Sequence, residues 1–355
     1  MFRSPLLLAA LVACTPTSSP APKDSATPGE GLDETPLPDD SAPVATAPQF
    51  FADNTLQPAI LAALQTATQR VQVAQYTIWS GSPAVDELVD AVGDAAARGV
   101  DVQVLADETS TGILDVLAAL EDRGARVLLD SPERTTHNKL WIIDNTAFNG
   151  SHNLSQSALQ TNREVSLQVD DPAAVAALSA WFDAVWADPE ATPGHAPAGD
   201  AAIVYADDAV IEGYSSCLES ADNTVVLVMY ALAWDARYPG SSIDVLLNGV
   251  EAAHDRGIEV KVLLDDSEWI RDNSINTAAI ERLSNAGVAV RTTSVSELVH
   301  AKMLVCDQRV MVSDANWSYS GLELYHGTSV AMDDPTLATA ALGWAGALWD
   351  RGLDH

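Results

Sequence analysis

From Phe50 onward the chain alternates between two spacings of apolar residues. The runs Val71 to Trp79, Val100 to Leu105, Arg126 to Leu129 and Glu164 to Val169 are short and mostly aliphatic, the pattern of strands buried on both faces. Between them, Asn54 to Gln69, Ala84 to Arg98, Ile113 to Arg123 and Pro172 to Trp186 carry apolar residues at helical spacing. Gly99 and Gly124 stand where two of these helices must stop. Strand and helix in alternation predict an α/β architecture, a mainly parallel mixed sheet flanked by helices.

The same programme then runs again. Residues 188–200, rich in Asp, Pro, Glu, Ala, Thr and Gly, read as a linker. A helix near Ala209–Ser220 leads to the strand Thr224 to Trp234, and a helix ends at Arg256-Gly257 before Ile258 to Leu264. Another ends at Ala286-Gly287 before Val288 to Arg291, and a final helix spans Pro335 to Asp350. A repeat this long is a duplicated domain and not a solenoid, with lobes at 49–187 and 201–355. Tyr76 and Trp79 are echoed by Tyr230 and Trp234, and large aromatics in repeated strands read as core packing.

The duplication carries a polar constellation. The first copy is His137-Asn138-Lys139 with Asp144, followed by Gly150-Ser151-His152-Asn153; the second is His300-Ala301-Lys302 with Asp307, followed by Ser313-Asp314-Ala315-Asn316. His, Lys, Asp and Asn recur at identical offsets, 163 positions apart. Residues two apart on a strand share a face, so His137 lies with Lys139 and His300 with Lys302.

A histidine beside a fixed cation, presented twice, suits reaction at an anionic phosphoryl centre. Lys139, Lys302, Asn153 and Asn316 can supply positive charge and donors to phosphoryl oxygens. One neutral histidine can attack phosphorus while the other, protonated, serves the leaving alcohol and then activates water. The usual zinc or magnesium ligand spacings are absent, so this chemistry calls for no metal and no other cofactor. Asp144 and Asp307 each lie five positions after their lysine and read as structural residues that bond a turn, and Ser151 belongs to the same framework. Glu164, in Asn162-Arg163-Glu164-Val165, is placed to orient a histidine ring. His152 reads as lining the pocket mouth, and His195, His254 and His355 as solvated.

Composition sharpens this picture. The chain has only four lysines (Lys23, Lys139, Lys261 and Lys302), and two of them fall on the repeated motif. A buried lysine is rare without a purpose. The formal net charge of −32 disfavours nucleic acid and anionic lipid as non-specific partners. Cys217, in a helix, and Cys306, in an apolar strand, read as two buried thiols, with a disulfide between them the alternative in an oxidising compartment. Arg3 and the short apolar run Pro5 to Ala13 form a signal-peptide core that ends Leu11-Val12-Ala13-Cys14, which resembles a bacterial lipobox. Cys14 would then be lipidated and the protein exported to the cell envelope. Residues 15–48 are too poor in large apolar side chains to fold and read as a disordered tether.

The pattern His-x-Lys-x4-Asp followed by Gly-Ser-x-Asn, present twice, resembles the phospholipase D superfamily of phosphodiesterases. The resemblance covers nearly all of residues 50–355. It implies two pseudo-symmetric α/β lobes whose motifs meet at one active site, a metal-independent two-step reaction through a phosphohistidine, and, with both motifs in one chain, a monomer. It makes His137 the nucleophile, His300 the acid and base, and Glu164 a histidine-orienting carboxylate. The second copy departs from the pattern. Asp314 replaces serine and would oppose phosphate if it faced the cleft, while Gly327 stands where Glu164 should recur and Glu323 is the candidate substitute. The tail Asn316-Trp317-Ser318 with Gly327-Thr328-Ser329 looks like the branch that contains lysosomal exonucleases. The acidic surface and envelope location put phospholipid hydrolysis or head-group transfer ahead of a secreted nuclease. A catalytically impaired phosphate-binding module comes third.

Overall fold

In the computed structural model, residues 48–109, 112–193 and 202–355 are described, together with the backbone of 196–198. Cys14, the expected signal segment and His195 lie outside these residues, as does all but the last residue of the 15–48 tether.

The first lobe runs β1 (Gln49–Ala52), α1 (Leu56–Thr66), β2 (Arg70–Gln75), α2 (Pro83–Ala97), β3 (Asp101–Ala106), α3 (Ile113–Glu121), β4 (Arg126–Leu129), β5 (Lys139–Ile143), β6 (Thr146–Gly150), α4 (Gln156–Gln160), β7 (Val165–Val169) and α5 (Pro172–Ala187). The second runs β8 (Ala196–Ala198), β9 (Ala202–Ala206), α6 (Val210–Ser220), β10 (Thr224–Met229), α7 (Ser242–Asp255), β11 (Glu259–Leu264), α8 (Glu268–Asn273), α9 (Thr277–Asn285), β12 (Ala289–Thr292), β13 (Lys302–Cys306), β14 (Arg309–Ser313), β15 (Thr328–Asp333), α10 (Pro335–Trp349) and β16 (Leu353–Asp354). The sheet orders are β1-β7-β6-β5-β2-β3-β4 and β16-β12-β11-β10-β13-β14-β15-β9-β8. Remove β16 and β8 and the two sheets have one topology.

Both sheets are mixed, but the parallel share is smaller than strand–helix alternation suggests. Only β2, β3 and β4, and β10, β11 and β12, run parallel; the motif strands and their neighbours pair antiparallel. The cause is local. After β5 the chain reverses within two residues, and Asp144 takes a left-handed φ of 50°; Asp307 does the same after β13 with φ 54°. The Asp144 carboxylate accepts the N–H groups of Thr68, Gln69 and Arg70 at 2.8–3.0 Å, and Asp307 accepts those of Asp222, Asn223 and Thr224 at 2.8–2.9 Å. Each aspartate therefore ties the motif hairpin to the start of the central strand. Partial burial pushes their pKa values up, but the three N–H donors outweigh it and hold both below the usual carboxylate range.

Alternate residues of the central strands serve different cores. Val71, Val73, Val102 and Val104 face the outer helices of lobe 1, whereas Ala74, Leu105, Leu140 and Ile142 join a core shared with lobe 2. That shared core includes Trp181 and Phe182 of α5 and Leu337 and Leu348 of α10. Each fully buried side chain of this size stabilises the fold by about 1.5–3 kcal/mol. The apolar helices α5 and α10 thus weld the lobes together. Cys217 of α6 and Cys306 of β13 form a disulfide with a Cα–Cα distance of 5.8 Å, which corrects the reading as two free thiols. Neither a buried helix position nor a buried strand position reveals in sequence that the two will face each other.

Candidate active site

The two motif strands start at their lysines, so each histidine sits just ahead of a strand, where the lobes meet. There the opposite lobe seats it. The His137 N–H donates to the carbonyl of His326 at 2.9 Å, and the His300 N–H donates to the carbonyl of Arg163 at 2.8 Å. The preceding N–H groups are held by buried aspartates, Thr136 by Asp130 and Val299 by Asp265 at 2.6 Å. The rings are matched as well. Tyr76 lies 4.6 Å from His137 and Tyr230 lies 4.7 Å from His300, between ring centroids.

Both histidines and both motif asparagines line one cleft of about 500 Å³ between the lobes, with Tyr76, Tyr230, Trp79 and Trp269 around them. The carboxamide oxygens of Asn153 and Asn316 are buried and unpartnered, polar capacity that the fold does not use. Lys139 and Lys302 lie beneath, 2% and 0% exposed. Each ammonium donates to the carbonyl of its own histidine and sits 5.0 Å from the centre of its tyrosine ring. Burial lowers both lysine pKa values, Lys139 to about 8 and Lys302 well below the ordinary lysine value, while Glu164 and Asp314 pull them back up.

The histidines differ in what faces their rings. Glu164, fully buried, accepts the Ser151 hydroxyl at 2.5 Å and stands 3.0 Å from Nδ1 of His300, the histidine of the other lobe. Burial alone would push the Glu164 pKa up, but His300, His152 and Lys302 hold it down at about 2. Burial lowers His300 to about 4 against the pull of Glu164. Nδ1 of His137 instead lies 3.4 Å from the Lys139 ammonium. Burial first, then Lys139, Lys302 and His300, drive its pKa well below the ordinary value; a hydrogen bond to the Asp314 main chain opposes them.

Several expectations need correction. His152 does not line the cleft. It is 3% exposed, and its ring nitrogens bond the Ser166 hydroxyl and the Asp53 carbonyl, each at 2.8 Å. Tyr76 and Tyr230 are cleft residues and not core packing, and Trp79 is 56% exposed; only Trp234 is packed in, its Nε1 on Asp244 at 3.1 Å. Glu323 accepts from Ser242 at 2.5 Å and plays no part here. Asp314 is 1% exposed and does not line the cleft, so it does not confront a phosphate there. Within the exonuclease-like tail, Trp317 is buried against Tyr214 while Asn316 lines the cleft. His254 is half-buried and His355 exposed.

Sequence reasoning missed Asp130, Asp265, Trp269, Tyr325 and His326. Tyr325 stacks on His137 at 5.5 Å, and His326 is buried against Asp207 at 3.1 Å. One signal was available, since Asp107 and Asp265 follow equivalent strands of the two lobes.

Two topologically equivalent lobes, each adding a His and an Asn to one shared cleft and a buried Lys beneath it, define a duplicated α/β phosphodiesterase-type scaffold. The chain belongs to the phospholipase D-like family described as "Cardiolipin synthase, PLD-like domain", which matches residues 60–186 and 214–349. It is 28% identical over 126 residues to a mitochondrial cardiolipin hydrolase of Chlamydomonas reinhardtii, a match covering 35% of this chain and 54% of that protein. The match therefore spans about half of that relative's length. In fold it is similar to a phosphatidylserine synthase from Haemophilus influenzae Rd KW20, with a TM-score of 0.65, 12% identity and coverage of 88% of this chain and 89% of that one. It is also similar to a polyphosphate kinase from Porphyromonas gingivalis, with a TM-score of 0.63, 14% identity and coverage of 86% and 48%.

Proposed function

We propose that the protein cleaves or transfers phospholipid head groups through a phosphohistidine on His137. The observation that carries this reading is the unlike surroundings of two like histidines in one cleft. His137, beside cations and without a carboxylate on its ring, stays neutral and keeps a lone pair for phosphorus. His300 is the ring whose imidazolium a buried carboxylate can support. A bound phosphodiester anion raises the basicity of both, and His300 takes the proton.

In the first step a nitrogen of His137 bonds to phosphorus, the bond from phosphorus to the head-group oxygen breaks, and His300 gives its proton to that oxygen. In the second step His300 takes a proton from water. The resulting hydroxide displaces His137 from phosphorus and leaves phosphatidic acid; an alcohol in place of water gives transfer. Lys139, Lys302, Asn153 and Asn316 offset phosphoryl charge throughout.

Two features favour lipid over nucleic acid. No Lys or Arg lines the described cleft, so a polyanion finds no cationic track to the histidines. The exposed Trp79 and Trp269 at its edge are side chains suited to a lipid–water interface. A lipidated Cys14 and the polar tether would hold the cleft near that interface. The test offers the full chain, in EDTA, phosphatidylcholine vesicles and a single-stranded oligonucleotide in parallel, with His137→Asn as control. Head-group release that disappears in the variant is expected. Oligonucleotide cleavage alone would make it a nuclease, and silence on both would make it a binding module.

A further inference from the structure

Superposing the lobes by their motifs places Ser151 on Asp314 and Glu164 on Gly327. In lobe 1 two side chains share the work. The Ser151 hydroxyl receives the Val165 N–H at 3.0 Å and donates to Glu164, whose carboxylate faces the histidine of the other lobe. In lobe 2 the equivalent N–H, that of Thr328, donates to the Asp314 carboxylate at 2.9 Å. Gly327 makes this possible. A Cβ at position 327 would overlap Oδ1 of Asp314 and lie 3.1 Å from its carboxyl carbon. The Asp314 carboxylate therefore fills both the serine position and the space where a Glu164 counterpart would begin. Its charge also pulls the Lys139 pKa up, and the Thr328 that it holds accepts from the carboxamide of Asn138, the residue between His137 and Lys139, at 3.0 Å.

We infer that Asp314 is the lobe-2 counterpart of Glu164, an acid moved from just ahead of the last sheet strand of its lobe to the loop after the motif hairpin, together with the loss of the side chain at Gly327, and that it positions His137 and Lys139 for attack. This rests on the phosphodiesterase reading and deepens it. The departure from the motif at Asp314 is a paired exchange, Ser and Glu for Asp and Gly, and not a lesion. The exchange also accounts for the difference between the two histidines. The Glu164 carboxylate, just ahead of β7, reaches the His300 ring directly, whereas the shorter Asp314 carboxylate, just after β14, holds the Thr328 that seats Asn138 beside His137 and supplies a counter-charge for Lys139. Burial raises the Asp314 pKa to about 7, opposed first by Lys139, so its charge depends on that lysine.

The test is a four-member cycle in the full chain: wild type, Asp314→Ser, Gly327→Glu, and the double variant that gives lobe 2 the Ser/Glu arrangement of lobe 1. Asp314→Ser should lower kcat about a hundredfold, the scale of a misplaced reacting group, with KM little changed. Gly327→Glu should be worse, because two carboxylates then compete for one buried space. The double variant should recover at least tenfold over Asp314→Ser. Asp314→Asn, which keeps shape and a Thr328 acceptor, controls for misfolding and should fold as the wild type while losing the charge-dependent part of its pH profile. The ring nitrogen shifts of His137 are followed by NMR in each variant. An Asp314→Ser protein with wild-type kcat and unmoved His137 shifts, or a double variant no better than either single one, overturns the inference. If the wild type turns over neither lipid nor oligonucleotide, the phosphodiesterase reading fails separately, and the His137 shifts alone decide the role of Asp314.

Discussion

The two lobes share a topology and a motif, yet they present their histidines to different neighbours. His300 faces a carboxylate that crosses from lobe 1, while His137 faces its own lysine and, from lobe 2, the uncharged ring of Tyr325. Duplication supplies two copies of one residue, and chemistry at phosphorus needs two roles, a neutral nucleophile and a proton carrier. A difference of one carboxylate at 3 Å is enough to separate them, because in a buried site the charge of that carboxylate is weakly screened. A second asymmetry is structural. Lobe 2 closes α6 onto β13 with a disulfide, whereas Ala63 and Ile143 occupy the matching places in lobe 1.

The sharpest way to break the comparison is to remove one histidine at a time. His137→Asn should abolish turnover on every phosphodiester. His300→Asn should cost about 10²–10⁴-fold on a natural substrate. It should cost far less in the burst of a nitrophenyl phosphodiester, whose leaving group needs no proton. Equal losses in that burst would mean the roles are not divided as proposed.

Removing the asymmetric charge comes next. Glu164 raises the His300 pKa, so Glu164→Gln should lower it and leave less imidazolium at any given pH. The alkaline limb of the kcat–pH profile should then move to lower pH, with kcat near neutrality down about a hundredfold. An unmoved limb would show that Glu164 is only a packing residue. The same carboxyl bears on stability with a definite sign. Its folded pKa of about 2 is below the ordinary value, so its contribution is present above that ordinary value and is lost as pH falls toward 2.

The smallest effect on catalysis should come from the disulfide. Replacing Cys217 and Cys306 with serine opens a loop of 89 residues and should cost about 4 kcal/mol, read as a lower denaturation midpoint. Turnover in the folded protein should not change, since neither cysteine lines the cleft. A large loss of kcat would mean that the lobe-2 hairpin depends on the bridge to hold His300.

Much of this was legible along the chain, for reasons that can be named. The period of two near each motif put His and Lys on one side, and both lysines do reach their histidines. Asp144 and Asp307 were readable as turn residues because their partners are the adjacent ends of neighbouring strands. The hairpin strands β6 and β14 were missed, since five residues after a tight turn carry no periodicity of their own. Tyr76 and Tyr230 were misread as core because an apolar strand end and a cleft wall have the same composition.

Local chemistry therefore settled in sequence what each motif contains, because side-chain alternation and turn formation act over a few residues. The tertiary structure alone decided what each motif meets. Glu164 and His300 are 136 positions apart, and no short-range rule brings a carboxylate of one lobe to the histidine of the other. That pairing follows from two sheets welded through α5 and α10, which is where two like histidines acquire unlike surroundings.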